Sequence, residues 1–244
     1  MAVILELKNV SFIVQNQTIV QNCSYAFEEG KTTALVGPSG CGKSTVLKLS
    51  AGLLVPSQGE VIYRGINISS MSRKENLNFR KEASMVFQDS ALWANMSIFQ
   101  SLELPLTIHF PEMTAQERKN KINSVVKEVG YKRDLFIRPS QLSMGEQKLI
   151  AFARALMCSP TLLFLDEWTE SLDDLSSERV VSLVQRHQKK GNTVILVSHD
   201  FMIVKMVADY ILMIVEGKYF TKFTREQIEK DVNLSRYIEG GIAS

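Results

Sequence analysis

Residues 37 to 45 read GPSGCGKST, between a short apolar, β-branched run (Thr32 to Val36) and a helix-like stretch (Lys43 to Leu54). The spacing G-x-x-x-x-G-K-[ST] in a strand-loop-helix context is that of a phosphate-binding loop, and it constrains the fold more than any other feature of the chain. Gly37, Gly40 and Gly42 let the backbone turn tightly, so that the loop through Pro38 brings the successive amides of Ser39, Cys41 and Thr45 toward a phosphate. The helix N-terminus that follows already favours anions. Lys43 is expected to reach the β and γ phosphates and the Ser44 hydroxyl to ligate Mg²⁺. A glycine-rich turn before a helix is the plainer alternative, but it leaves the Lys-Ser register unexplained. The chain is therefore expected to bind a nucleoside triphosphate. Cys41, beside Lys43 and a helix N-terminus, is expected to have a depressed thiol pKa and to react readily with alkylating agents.

At 244 residues with 45% hydrophobic content, the chain can bury the core of one large α/β domain. A formal charge of +2 gives no global attraction to nucleic acid or anionic lipid. Three cysteines without C-x-x-C spacing suggest neither a disulfide framework nor a zinc site, as in a reducing cytosol. The first residues do not read as a signal peptide, so no leader is expected, and no apolar run approaches the ~18 to 20 residues of a membrane span, so a membrane role is expected to come through a partner.

Residues 3 to 30 alternate apolar and polar and, with Val61-Ile62-Tyr63, suggest a small antiparallel sheet beside the phosphate loop. Thr161 to Leu165 and Thr193 to Val197 are continuous apolar runs, each followed by polar residues. They predict central parallel strands with functional loops at their carboxyl ends. Between them, Thr114 and Glu117 form a capping box, and Ile122, Val125, Val126 and Val129 recur at helical spacing until Gly130. This predicts a helical insertion over roughly 90–158, too long for an ordinary loop. A short helical tail is expected over roughly 224–244, and residues 1–244 are read as a single nucleotide-binding domain.

Leu162 to Leu165 lead into Asp166-Glu167, and Thr193 to Val197 into Ser198-His199-Asp200. Phosphoryl transfer needs a cation held opposite the phosphate loop and a group that orients water, so adjacent acids at a buried strand end are chemically apt. Asp166 is expected to hold the metal, Glu167 to polarise the nucleophile, and His199 to contact the γ phosphate. His109 and His187 are read as structural.

Leu142-Ser143-Met144-Gly145-Glu146-Gln147-Lys148 precedes an apolar helix, with Ser143 and Glu146 spaced as a capping box. Together with Gln88 after the strand-like Ser84 to Phe87, and with Ser171-Leu172-Asp173 after the acids, it resembles the signature of the ATP-binding-cassette family, in that family's order along essentially the whole chain. The resemblance implies an α/β fold: a phosphate-loop (RecA-like), mostly parallel sheet core, an N-terminal antiparallel β subdomain and an inserted α-helical subdomain. It implies ATP and Mg²⁺ as ligands, Phe12 as the aromatic that stacks adenine, and Gln88 as a contact of Mg²⁺ and the lytic water. It also implies Ser143 and Gly145 as γ-phosphate contacts to the other protomer of a head-to-tail homodimer, and Asp173 on the loop that crosses to it.

Three departures stand out: Met144 where the family usually has Gly, Glu146 where it has Gln, and Trp168-Thr169-Glu170-Ser171 where it has Pro-Thr-Ser-Ala. Met144 and Glu146 raise the expectation of slow hydrolysis.

Residues 84 to 106, with Ala91-Leu92-Trp93 after the loop Gln, resemble the ATPase subunits of MCE-type (Mla-like) lipid transporters, as does Ser235 to Gly240 near the end. That resemblance implies a peripheral subunit on the cytoplasmic face of the inner membrane, a permease dimer and an MCE-type lipid-binding protein as partners, and no nucleic acid. An ATPase of another importer or exporter subfamily is the alternative, and a soluble cassette ATPase acting on ribosomes or DNA a third. A GTPase reading fails at Asn120-Lys121-Ile122-Asn123, which lacks the acid of the guanine motif. Trp93 fits either the core of the helical lobe or a permease-docking surface.

Overall fold

The computed structural model describes residues 2–230. Strands β1 (Val3–Val14) and β2 (Gln17–Glu28) form a hairpin, followed by β3 (Thr32–Val36), α1 (Lys43–Ser50), β4 (Gln58–Tyr63), β5 (Ile66–Asn67), α2 (Arg73–Glu82) and β6 (Ala83–Val86). The helical segment holds α3 (Ile98–His109), α4 (Ala115–Val129) and α5 (Met144–Leu156). After it come β7 (Leu162–Asp166), α6 (Asp174–Lys189), β8 (Thr193–Val197), α7 (Phe201–Val207), β9 (Tyr210–Val215), β10 (Lys218–Thr224) and α8 (Arg225–Lys230).

Two sheets result. One is antiparallel, in the order β2-β1-β4-β5; the other runs β10-β9-β3-β8-β7-β6 and is parallel except at its β10 edge. Parallel strands are covered on both faces and so read as unbroken apolar runs. All five residues of β3, β7 and β8 are buried. Successive side chains alternate between two cores. Ala34, Val36, Leu163, Leu165, Val194 and Leu196 face the core shared with the helical segment. Leu35, Leu162, Phe164, Ile195 and Val197 face the core shared with the antiparallel sheet and α1.

In the parallel register Leu165 lies opposite Val86, and Asp166 opposite Val197. The carboxyl ends of β3, β6, β7 and β8 therefore fall along one edge, where an open α/β sheet places its ligand. That edge carries the phosphate loop, Gln88, the two acids and His199.

Capping boxes start α4 at Thr114 and α5 at Ser143, and Gly130 closes α4 in the left-handed region at φ 84°. Helix α1 stops at Ser50, short of the expected Leu54, because Gly52 turns the chain at φ 62°. Helix α2 and strands β9 and β10 were not legible from periodicity. The Ser235 to Gly240 resemblance lies outside the described residues.

Candidate active site

The phosphate loop leaves β3 at Gly37, whose φ of 147° brings it hard against β9: a Cβ there would lie 2.0 Å from the Ile214 carbonyl oxygen. Only glycine is tolerated at such an approach. The Lys43 ammonium donates to the carbonyls of Gly37 and Pro38, both at 2.9 Å, so the loop is closed on its own lysine. Pro38 and Thr45 are half-buried, and Ser39 and Gly40 exposed. Phe12 pairs across β1–β2 with Val20, and Val20 touches the site of Gly42, so Phe12 stands beside the junction of loop and helix.

Cys41 departs from expectation. Its side chain is buried, and burial pushes the thiol pKa up despite the opposing charge of Lys43. Adjacency to a lysine and a helix end was visible in the sequence; the removal of solvent that outweighs both was not.

Asp166 is 2% exposed and accepts a 2.8 Å hydrogen bond from Ser44 Oγ, joining the loop to β7. Burial raises its carboxyl pKa, against the pull of Ser44 and of Lys48, Lys148 and Lys43. Glu167 follows in the left-handed region at φ 42°, and its Oε2 lies 2.9 Å from His199 Nδ1. A carboxylate only accepts, so Nδ1 carries the proton and Nε2 is the imidazole's remaining polar end. The His199 side chain is 67% exposed, that of Glu167 only 13%.

Gln88, exposed at the end of β6, donates through Nε2 to Glu170 Oε2 at 3.1 Å. Both residues line a cavity of about 470 Å³ with Asp166, Lys48 and Lys148. Sequence reasoning missed Lys148. It is 2% exposed, and its ammonium donates to the carbonyls of Gln88, Phe87 (3.2 Å) and Glu167 (3.4 Å). One signal was available: a lysine leading directly into the apolar stretch Leu149-Ile150-Ala151 is unusual unless its charge has a buried use.

At the start of α5, Ser143 Oγ accepts from Glu146 N, and Glu146 Oε2 accepts from Ser143 N at 2.9 Å and from Arg133 Nη1 at 3.0 Å. The bond from the Ser143 amide, more than Arg133, holds the Glu146 carboxyl below the usual range. A Cβ on Gly145 would lie 2.8 Å from the Ser171 carbonyl oxygen, so this glycine keeps the signature helix against the loop after the acids. Met144 is 71% exposed. Asp173 caps its own helix α6 by accepting from Ser176 N at 2.8 Å. Trp168 is fully buried, its ring 6.0 Å from that of Phe152, and anchors the loop in the core.

A second cavity, of about 590 Å³, is apolar and lies between the sheet and the helical segment, lined by Leu53, Met85, Trp93, Leu104, Ile108 and Arg154. Leu92 packs on the core, but Trp93 is 44% exposed with the Arg154 guanidinium 5.3 Å above its ring. Trp93 is thus not a lobe-core residue.

A phosphate loop tied to a buried aspartate, with a second acid held by a histidine from the neighbouring strand and a helical insertion packed beside them, defines a nucleoside-triphosphate-hydrolysing cassette. Residues 20–170 match the family model described as "ABC transporter", and the chain belongs to that family. It is an ABC ATPase. The MlaF protein of Haemophilus influenzae, described as an intermembrane phospholipid transport system ATP-binding protein, is 34% identical over 97% of this chain and 90% of its own. The methionine import ATP-binding protein MetN of Legionella pneumophila is 32% identical over 88% of this chain and 62% of its own. A solved dimeric, post-hydrolysis ATP-binding cassette bound to ADP and Pi superposes with a TM-score of 0.84 at 28% identity, covering 91% of this chain and 98% of that one. Among the described residues, no helix is long and apolar enough to cross a membrane.

Proposed function

We propose that this chain powers a phospholipid-transporting permease of the MCE/Mla type, working as a Mg²⁺-dependent, head-to-tail homodimer on the cytoplasmic face of the inner membrane. The observation that carries the hydrolytic role is the Glu167–His199 pair set one residue beyond the Ser44–Asp166 bond. Lys43 exchanges its two loop carbonyls for phosphate oxygens, and the backbone amides of residues 39–45 close on the triphosphate. Phe12 offers a face to adenine.

The oxygen donors Ser44, Asp166 and Gln88 suit a hard divalent cation. Among the described residues no group of three His, Cys, Asp or Glu side chains could hold a metal unaided. Bound there, Mg²⁺ would offset charge on the β and γ phosphates. Glu167 accepts the proton of the attacking water as its hydrogen-bond partner, and His199, anchored through Nδ1, turns Nε2 toward the γ phosphate. Exposed Ser143, Met144 and Leu175 suit a face completed by a second copy, in which Ser143 and Gly145 meet the partner's γ phosphate and Asp173 steers the crossing loop.

The transport role is supported by similarity to MlaF along nearly the whole chain, and by the apolar groove at Trp93, which suits a permease helix. Similarity to MetN keeps an importer of another subfamily as the second reading. Purifying the native complex decides between them: a permease with an MCE-type subunit and bound phospholipid is expected, whereas a soluble solute-binding protein would overturn the lipid role. Trp93→Ala should leave the isolated subunit's melting temperature within roughly 2 °C of wild type, as for an exposed position, while pull-down of the permease is lost. Retained pull-down would remove the groove from the docking surface.

A further inference from the structure

Glu170 is a carboxylate at a position where the family pattern has serine, and it lines the same cavity as Gln88 and Asp166. An exposed acid beside a phosphate site raises its negative charge, so its retention there needs a physical account. The bond from Gln88 Nε2 to Glu170 Oε2 supplies one.

A primary amide has unlike ends, an NH₂ that only donates and an oxygen that only accepts. A carboxylate only accepts, so chemistry alone decides which end of Gln88 faces Glu170: the NH₂ end. Oε1 is left over, and among the described residues no donor is paired with it. The backbone of the same residue is held independently, because buried Lys148 donates to the carbonyls of Phe87 and Gln88. Lys148 lies in the field of Asp89, Asp166, Glu167 and Glu170, so the extra carboxylate joins a cluster that already has its counter-ion. With its main chain anchored by an ammonium and its amide by an acid, Gln88 has one polar atom to offer, an oxygen, which is the atom a hard cation or a water proton requires.

We propose that Glu170 is a positioning residue of the catalytic cavity, fixing the amide of Gln88 so that Oε1 is presented to the divalent cation and its water. This rests on the reading of Gln88 as a cation contact, and the experiment separates the two. The full chain, saturated with a non-hydrolysable ATP analogue, is titrated with Mn²⁺ while free Mn²⁺ is followed by electron paramagnetic resonance. The proteins compared are wild type, Gln88→Ala, Glu170→Ala, Glu170→Gln and the Gln88→Ala/Glu170→Ala double variant.

Loss of an outer-sphere partner lowers metal affinity about 10- to 100-fold in general. For an exposed partner about tenfold is expected in Glu170→Ala, with an unchanged melting temperature. Glu170→Gln, whose carbonyl can accept the same bond, should bind Mn²⁺ close to wild type. In the double variant the second substitution should add nothing to the first, because Glu170 acts only through Gln88.

If Gln88→Ala alone leaves Mn²⁺ affinity unchanged, Gln88 is not a cation contact and the proposal falls with that reading. If Gln88→Ala weakens binding but Glu170→Ala does not, Gln88 keeps its role and Glu170 loses its own. Additive losses in the double variant, or a Glu170→Gln variant as weak as Glu170→Ala, would make Glu170 a charge rather than a hydrogen-bond acceptor and overturn the proposal.

Discussion

The two halves of this catalytic apparatus meet family expectation differently. On the strand side, the residues from Gly37 to Thr45 with Asp166, Glu167 and His199 follow the family pattern and are tied mainly to one another: Lys43 to its own loop, Ser44 to Asp166, Glu167 to His199. On the helical side, Met144 stays exposed, and three other residues that depart from the pattern each have a local partner. Glu146 is turned back onto the Ser143 amide and Arg133, Trp168 is buried against Phe152, and Glu170 receives Gln88. Chemistry is thus built from residues that hold each other, whereas the surrounding shell tolerates replacement when the new side chain finds a neighbour to absorb its charge or bulk.

Glu167→Gln should break the strand side most severely. Removing the carboxylate that orients water is expected to lower turnover roughly 100- to 10,000-fold while leaving ATP affinity intact. Steady-state ATPase assays and ATP-dependent dimerisation by sedimentation check it; near-normal turnover would dissolve the contrast between the two halves.

Trp168→Ala tests whether the helical side is truly anchored. Emptying a fully buried indole costs roughly 3–5 kcal/mol, which for a chain of this size lowers the melting temperature by about 10 °C. A loss of under 2 °C would mean that the tryptophan fills space the loop does not need.

His187, a buried residue of α6, adds a pH term to the whole comparison. Burial lowers its pKa to about 4, while in the unfolded chain it stays near 6.5. Below 6.5 the unfolded chain takes up a proton that the folded chain refuses, so stability falls as pH drops from about 6.5 to 4, by about 3 kcal/mol in total. Thermal melts across that range should steepen for wild type and flatten for His187→Leu. Parallel curves would refute the buried, neutral imidazole.

A smaller effect is expected at Glu146. Because its carboxylate is already neutralised and turned back, Glu146→Gln should change ATPase activity by no more than about threefold, the scale of one exposed ion pair. Arg133→Ala should weaken ATP-driven dimerisation more in the wild-type background than in Glu146→Gln. A large gain in activity from Glu146→Gln alone would show the carboxylate opposing the triphosphate after all.

The smallest effect concerns Cys41. Its buried, weakly acidic thiol should react with N-ethylmaleimide at least about tenfold more slowly in the native chain than after unfolding, as followed by mass spectrometry.

Much of this was legible in the residues themselves. Continuous apolar runs located β3, β7 and β8, and the polar residues that end them located the acids and His199. Local capping chemistry located the starts of α4 and α5. Long-range pairing was not legible: Gln88 meets Glu170 across 82 positions, and Lys148 reaches Gln88 across 60. Periodicity reports which face of an element is buried, not which distant side chain will be waiting there. For the same reason Trp93 could be read two ways until its exposure was seen, and Cys41 was misjudged from its chain neighbours.

The seat of the phosphate loop has a consequence for the order in which the molecule comes into being. Its strand β3 lies between β8 and β9, the Thr32 amide bonds Asp209 across 177 positions, and Gly217 closes on the carbonyl of Cys41. At a synthesis rate of about 5–20 residues per second, the motif leaves the ribosome roughly 9–35 s before the strand that shapes it exists. During that interval a glycine-rich segment flanked by apolar β-branched residues has no lattice to join. A nascent chain stalled before Tyr210 should therefore be unable to retain nucleotide, even though every residue of the motif has been made.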